Sequence, residues 1–358
     1  MVSGRIQGIA LGCVTGFLLS CITAQSSALK PIDPAALQTT LDATAKELLI
    51  PGAMVLLRTP QGEFAVTYGT TLLGEKIPPR ADTYFRAASN TKTMTAAVIL
   101  QLAQEGKLSV DDAVSKYVPG VPNGDQITIA ELLEMRSGLY NNSNAPEISA
   151  RMDHDPTKVW SPVELLAIAF AHPPNVPPGT AYEYNNTNYL LLSLVAEKVD
   201  GKPLAQSMQD RLFGPLRLQH TVFPALAVNT LPEPYSHGYL YGSASVAMVG
   251  SPPYSPEVQA AARAGTLLPK DYTDLNYSFA EGAGAVISTA SDLATWIEAL
   301  VTGRVLNAAS QRRWLDSLQP EDPSKPKGQR YGYGIVQINV GGSTSLTAVT
   351  PTYLLSYP

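Results

Sequence analysis

Residues 85–108 read FRAASNTKTMTAAVILQLAQEGKL. The run MTAAVILQLA, residues 94–103, predicts a helix buried on all sides, and Gly106 ends it. At its head stand Ser89 and Lys92, three residues apart and so neighbours on one helix face. One reading is structural: Ser89 or Asn90 serves as the N-cap. The other is chemical. A serine hydroxyl is a poor nucleophile until a base takes its proton. A lysine is that base only where burial or charge lowers its pKa, and the apolar run supplies burial. A helix start also favours developing negative charge, and the serine's own N–H can face an oxyanion.

Ser-x-x-Lys occurs three times, at Ser27/Lys30, Ser89/Lys92 and Ser324/Lys327. The first lies at the edge of the leader. The third is SKPK, where Pro326 disfavours a helix. Only Ser89 heads a long apolar helix.

The chain has 358 residues, 45% hydrophobic and 15% charged, enough to bury a large core and unlike a disordered chain. A net charge of −5 leaves no basic footprint for nucleic acid. No zinc-type Cys/His spacing and no glycine-rich phosphate loop occurs, so no cofactor or metal is implied.

Residues 1–28 read as an export leader: Arg5, the apolar IALGCVTGFLLS, then small residues. Both cysteines, Cys13 and Cys21, lie within it. LLSC, residues 18–21, resembles a lipoprotein box. Lipidation of Cys21 would attach the protein to a membrane; plain cleavage and an uncleaved anchor are the alternatives. Each places the domain outside the cytoplasm.

Downstream, DPAALQTTLDATAKELLI predicts a helix from about Asp33, and GAMVLLRTPQGEFAVTYGT two strands around a Gln61–Gly62 turn. SPVELLAIAFAH and TNYLLLSLVAEKVDG are helices. GAVISTASDLATWIEALVTG is a strand followed by a helix capped at Ser291, with Asp292 in its first turn. RYGYGIVQINV is a strand. Strands at both ends and helices between them predict an α/β (α+β) domain over 29–358. Its sheet parts are about 33–88 and 280–358, its helical part about 89–279, with a site in the cleft between them.

PGTAYEYNNTNYLLLSLVAEK places Tyr184, Asn185 and Asn186 before a helix. A phenol near a lysine can shuttle a proton, and an Asn amide can hold both a substrate and a lysine. The plainer reading is that these residues only build the turn. SGLYNNSN offers a second Tyr-x-Asn at Tyr140 and Asn142.

Taken in order, Ser89-x-x-Lys92, ITIAELLEMRSGLYN, PGTAYEYNNTNYLLLSLVAEK, EGAGAVISTASDLATWIEAL and YGYGI resemble the serine penicillin-recognising enzymes. The likeness is strongest to secreted D-alanyl-D-alanine carboxypeptidases, beside class C β-lactamases and related esterases, and runs from about residue 33 to 336. It implies a β-lactamase/transpeptidase-like fold, an antiparallel sheet flanked by terminal helices with a mainly helical insertion. It also implies acyl transfer through Ser89, with Lys92 as base, Tyr184 in proton transfer and Asn186 holding substrate. Phe279 falls where related enzymes put an aromatic near the site. The implied partners are small-molecule or peptide substrates, peptidoglycan-like peptides and β-lactams among them.

The family's third motif, His-x-Gly or Lys-Thr-Gly, is not found after YGYG, and GGS at residues 341–343 is no convincing substitute. The last strands and the C-terminal helix are therefore expected to be missing. Val336 to Asn339 also stand where the carboxypeptidases tend to place a base for a free carboxylate. A frameshift would explain the break. If residues 346–349 are encoded by a codon ending in C, then ACG, GCG and GTN, the frame one base earlier reads His-Gly-Gly. The nucleotide sequence tests this. His154, His172, His220 and His237 read as surface or core, Asp111 and Asp112 as a turn, and Gly282 and Gly284 as allowing close backbone packing.

Overall fold

The computed structural model describes residues 31–244, 254–340 and 343–347. The leader with Cys13 and Cys21, Gly341–Gly342 and Ala348–Val349 lie outside them. Residues from Asp33 onward form one unit.

Helix α1, Pro34–Glu47, starts where the sequence predicts. Asp33 Oδ1 accepts the Ala35 N–H at 2.9 Å, and Pro34 occupies the first turn, where no N–H is needed. Strands β1, Gly52–Thr59, and β2, Gly62–Gly69, form an antiparallel hairpin pairing Thr59 with Gly62. The connecting residues are thus Pro60 and Gln61, one position earlier than expected, and Gly62 supplies the positive φ of 132° after the turn.

Strand β3 is Phe85–Arg86, followed by a 3₁₀ turn, Ala88–Asn90, and helix α2, Thr91–Gln104. Then come α3, Ile129–Leu133; α4, Pro146–His154; α5, Pro162–Phe170; α6, Asn186–Asp200; and α7, Leu204–Met208. Strand β4 is Tyr239–Leu240, α8 Pro256–Arg263, β5 Lys270–Asp271 and β6 Ile287–Ser288. Helices α9, Ala290–Val301, and α10, Ala308–Asp316, precede β7, Gln319–Pro320; β8, Arg330–Tyr331; β9, Val336–Val340; and β10, Ser343–Thr347.

Helix α9 is capped by Thr289, whose Oγ1 accepts the Asp292 N–H at 3.3 Å, and not by Ser291. Ser291 lies inside the helix, and its N–H goes to the Ala81 carbonyl. Asp292 is in the first turn as expected. Its carboxylate turns inward to accept the His220 N–H and the Thr221 hydroxyl, both at 2.8 Å.

Among the described residues the named strands all pair antiparallel, and one isolated bridge, Tyr84 with Tyr235, is parallel. The C-terminal strands run in the order β10-β9-β8-β7, and β3 pairs with β6. The sequence predicts one sheet joining both ends of the chain. Among the described residues the β1–β2 hairpin instead pairs only with itself. It is held by helices: Gln38 of α1 donates to the Thr67 carbonyl at 2.9 Å, and Arg58 donates to Thr295 of α9 at 2.8 Å. Helices α2 and α6 lie in the core. Every residue from Thr91 to Leu100 is buried, as a helix apolar all round requires.

Candidate active site

Ser89 sits in the 3₁₀ turn ahead of α2, half-buried and so reachable from solvent. Asn90 holds the N-cap position of α2 but makes no side-chain cap bond; its amide donates back to the Ala87 carbonyl at 2.8 Å. Ala88, just before the serine, takes φ 45°, a left-handed conformation costing about 1–3 kcal/mol in a non-glycine residue. Strain of this kind persists only where packing over-determines it. Here the Ala87 N–H is fixed on the Val286 carbonyl at 2.8 Å.

Lys92 Nζ lies 3.2 Å from Ser89 Oγ and donates to the Ala283 carbonyl at 2.7 Å. The residue is 1% exposed, and no carboxylate contacts Nζ among the described residues. Burial disfavours the ammonium form and holds its pKa well below the ordinary lysine value. The Tyr184 and Tyr189 rings face the amine at 4.8 and 5.6 Å.

Tyr184 donates its hydroxyl to Ser89 Oγ at 2.8 Å. The structure thus gathers Ser89, Lys92 and Tyr184 at one point, although Tyr184 is 95 residues from the serine. Tyr140, the competing phenol, stacks on His172 at 4.0 Å. The SGLYNNSN loop serves as the scaffold for the start of α6. Asn141 Oδ1 accepts the Asn186 N–H, the Asn142 N–H goes to Thr187 Oγ1, and Asn185 Nδ2 donates to the Leu139 carbonyl at 2.6 Å. Asn186 lies at the first position of α6, half-buried, with Nδ2 donating to Ser143 Oγ at 2.7 Å. Tyr331 buttresses Tyr184 edge-on at 6.4 Å, and the buried Tyr189 hydroxyl donates to the Leu133 carbonyl at 3.1 Å.

Phe279 is 5% exposed and packs on Tyr277 with ring centroids 5.2 Å apart, so little of its ring is open to a ligand. Among the described residues, no group of three or more His, Cys, Asp or Glu is placed to hold a metal ion.

Sequence reasoning did not anticipate the wall that holds Lys92. Three side chains of α2 clasp the segment 281–286: Lys92 on the Ala283 carbonyl, Thr95 Oγ1 on the Gly282 carbonyl at 2.7 Å, and the Val286 N–H on Thr91 Oγ1 at 3.1 Å. Its visible signal was the small residues of EGAG. A Cβ on Gly282 would fall 1.9 Å from Ser193 Oγ, which bears out the close packing read there.

A family model described as Beta-lactamase matches residues 37–353. A D-stereospecific amidohydrolase from Streptomyces sp. is 30% identical, with a TM-score of 0.75 over 88% of this chain and 86% of that one. The D-amino acid amidase from Ochrobactrum anthropi SV3, complexed with L-phenylalanine amide, is 25% identical, with a TM-score of 0.72 over 88% and 84%. A putative D-alanyl-D-alanine carboxypeptidase of Salmonella paratyphi A is 29% identical over 202 residues, 55% of this chain and 47% of that protein. Protein flp of Staphylococcus aureus is 34% identical over 184 residues, 49% of this chain and 35% of that protein. The alignments to these curated relatives thus span less than half of their length.

Proposed function

Because the chain belongs to the β-lactamase family of serine hydrolases, we propose that it acts through an acyl-Ser89 intermediate on D-Ala-D-Ala peptides or related small amides and esters. The observation that carries this reading is the convergence of a buried lysine and a phenol on one half-buried serine oxygen. Neutral Lys92 takes the hydroxyl proton across the 3.2 Å contact, and Oγ attacks the substrate carbonyl. The Ser89 N–H stabilises the oxyanion. Tyr184 passes a proton to the leaving group, and water then cleaves the acyl-enzyme. Asn186, anchored on Ser143, holds the substrate amide.

The two solved neighbours that carry "D-stereospecific amidohydrolase" and "D-amino acid amidase" in their names support amides with a D-configured residue on the acyl side. The order of positive, apolar and small residues in 1–28 supports action outside the cytoplasm, and a lipid on Cys21 would show in the mass of the mature N-terminus.

Intact mass after incubation with a penicillin tests the reading, beside Ser89→Ala. One acyl adduct is expected in the parent and none in the variant. Slow loss of the adduct favours the peptidase or amidase reading, and fast loss a β-lactamase. Absence of an adduct from folded parent protein overturns the catalytic reading in favour of a non-catalytic relative that at most binds such ligands.

A further inference from the structure

The wall that receives Lys92 begins at a residue with no part in the acyl-transfer scheme. Glu281 is 5% exposed, yet its backbone adopts φ 39°, strained for a side-chain-bearing residue. Its carboxylate accepts the N–H of Gly282, the next residue, and lies beside Ser193, whose hydroxyl donates to the Tyr189 carbonyl at 2.9 Å. Its backbone carbonyl accepts the N–H groups of Gly284 and Ala285 at 3.0 and 2.8 Å. Both ends of Glu281 therefore shape the tight turn whose next two carbonyls, Gly282 and Ala283, are taken by Thr95 and Lys92.

We propose that Glu281 is a positioning residue for Lys92: its buried carboxyl pins the turn that holds the Ala283 carbonyl against Nζ, and its charge is felt at the base. This rests on the reading of Lys92 as the base.

The surroundings favour such a role. Glu197 of α6 faces Glu281 with a like charge, and Lys92 of α2 reaches the same turn at the Ala283 carbonyl. The opposite side is a small cleft with room for one water, lined by Phe223, Ala225, Leu226, Val228 and Tyr277. Glu281 itself lines that cleft, and none of the other residues named there carries a charge. Desolvation accordingly raises its pKa to about 7. At neutral pH the turn alternates between a neutral and an anionic carboxyl. The anion favours the ammonium form of Lys92 and so opposes its action as a base.

The test measures acylation by a penicillin across about pH 5 to 9 for the parent, Glu281→Gln and Glu281→Ala, all confirmed folded. Gln keeps an acceptor for the Gly282 N–H but does not titrate. It should hold the plateau acylation rate within about threefold while losing an inflection near pH 7. Ala should lower the plateau about tenfold or more, with the half-saturating penicillin concentration unchanged. An inflection retained in Gln, or a folded Ala variant acylating at the parent rate, overturns the proposal. If Ala does not fold, the Gln profile decides alone. If the parent forms no adduct, the serine reading has failed separately. Unfolding stability against pH in a cycle of Glu281→Gln and Lys92→Met then still reads the coupling: the Lys92 titration should move to lower pH in the Gln background, and coincident curves overturn the proposal.

Discussion

Replacing Lys92 by Met keeps most of the side-chain volume and removes the amine. Two effects follow, and pH separates them. The first is constant: the Ala283 carbonyl loses the donor now 2.7 Å away, and an unmade buried hydrogen bond costs about 1–3 kcal/mol. The second is linkage. In the unfolded chain Lys92 is an ammonium ion below about pH 10.5, whereas burial keeps it neutral in the fold to a much lower pH. Between those two values the unfolded state binds more protons, so the parent loses stability as pH falls, at about 1.4 kcal/mol per pH unit. Met binds no proton. The stability of Lys92→Met relative to the parent should therefore rise as pH falls from about 10.5 and level off below the folded-state pKa. Urea unfolding of both proteins at a series of pH values measures this difference, and titrating groups not coupled to Lys92 cancel in it. Acylation should fall about 10²–10⁴-fold, as for loss of a general base. A stability difference that stays flat across the window would refute the reasoning, since Lys92 would then be charged in the fold and unfit to take the serine proton.

Gly282→Ala would drive a Cβ to within 1.9 Å of Ser193 Oγ, and overpacking of this kind costs about 1–3 kcal/mol; the thermal midpoint should fall and acylation slow together. Glu134, at the end of α3, is desolvated to a pKa of about 7 and accepts from Gln319 at 3.1 Å. A folded pKa raised above the usual 4.5 stabilises fully below 4.5, and that contribution is lost as pH rises toward 7. Glu134→Gln should therefore gain stability over the parent as pH rises through that window and hold the gain above it; denaturant titrations at about pH 4.5, 6 and 8 would show no trend if the carboxyl titrates normally.

The Ser89 helix was legible because burial on all sides leaves a continuous apolar run, and a polar pair at its mouth then stands out. The α6 helix and the β1–β2 hairpin were legible for similar local reasons. The cap of α9 was misplaced by two residues: Ser291 and Thr289 are equally good caps in isolation, and the choice was made by the Ala81 carbonyl and the Asp292 contacts. The phenol was ambiguous in the residues themselves, because Tyr140 and Tyr184 both precede asparagines. The two loops proved complementary, one carrying the hydroxyl to Ser89 and the other bonding the start of α6.

By itself, the sequence determined the periodicity of the helices, the Ser89–Lys92 spacing and the order of the family's motifs, since these depend on neighbours three or four residues apart. Tertiary structure alone decided that Tyr184 is the phenol at the serine, that Ala283 and not a side chain receives the lysine, and that a buried Glu281 anchors that wall. These are contacts between segments about 95 to 190 residues apart. Packing sets them, and no local pattern encodes which distant carbonyl will meet a buried amine.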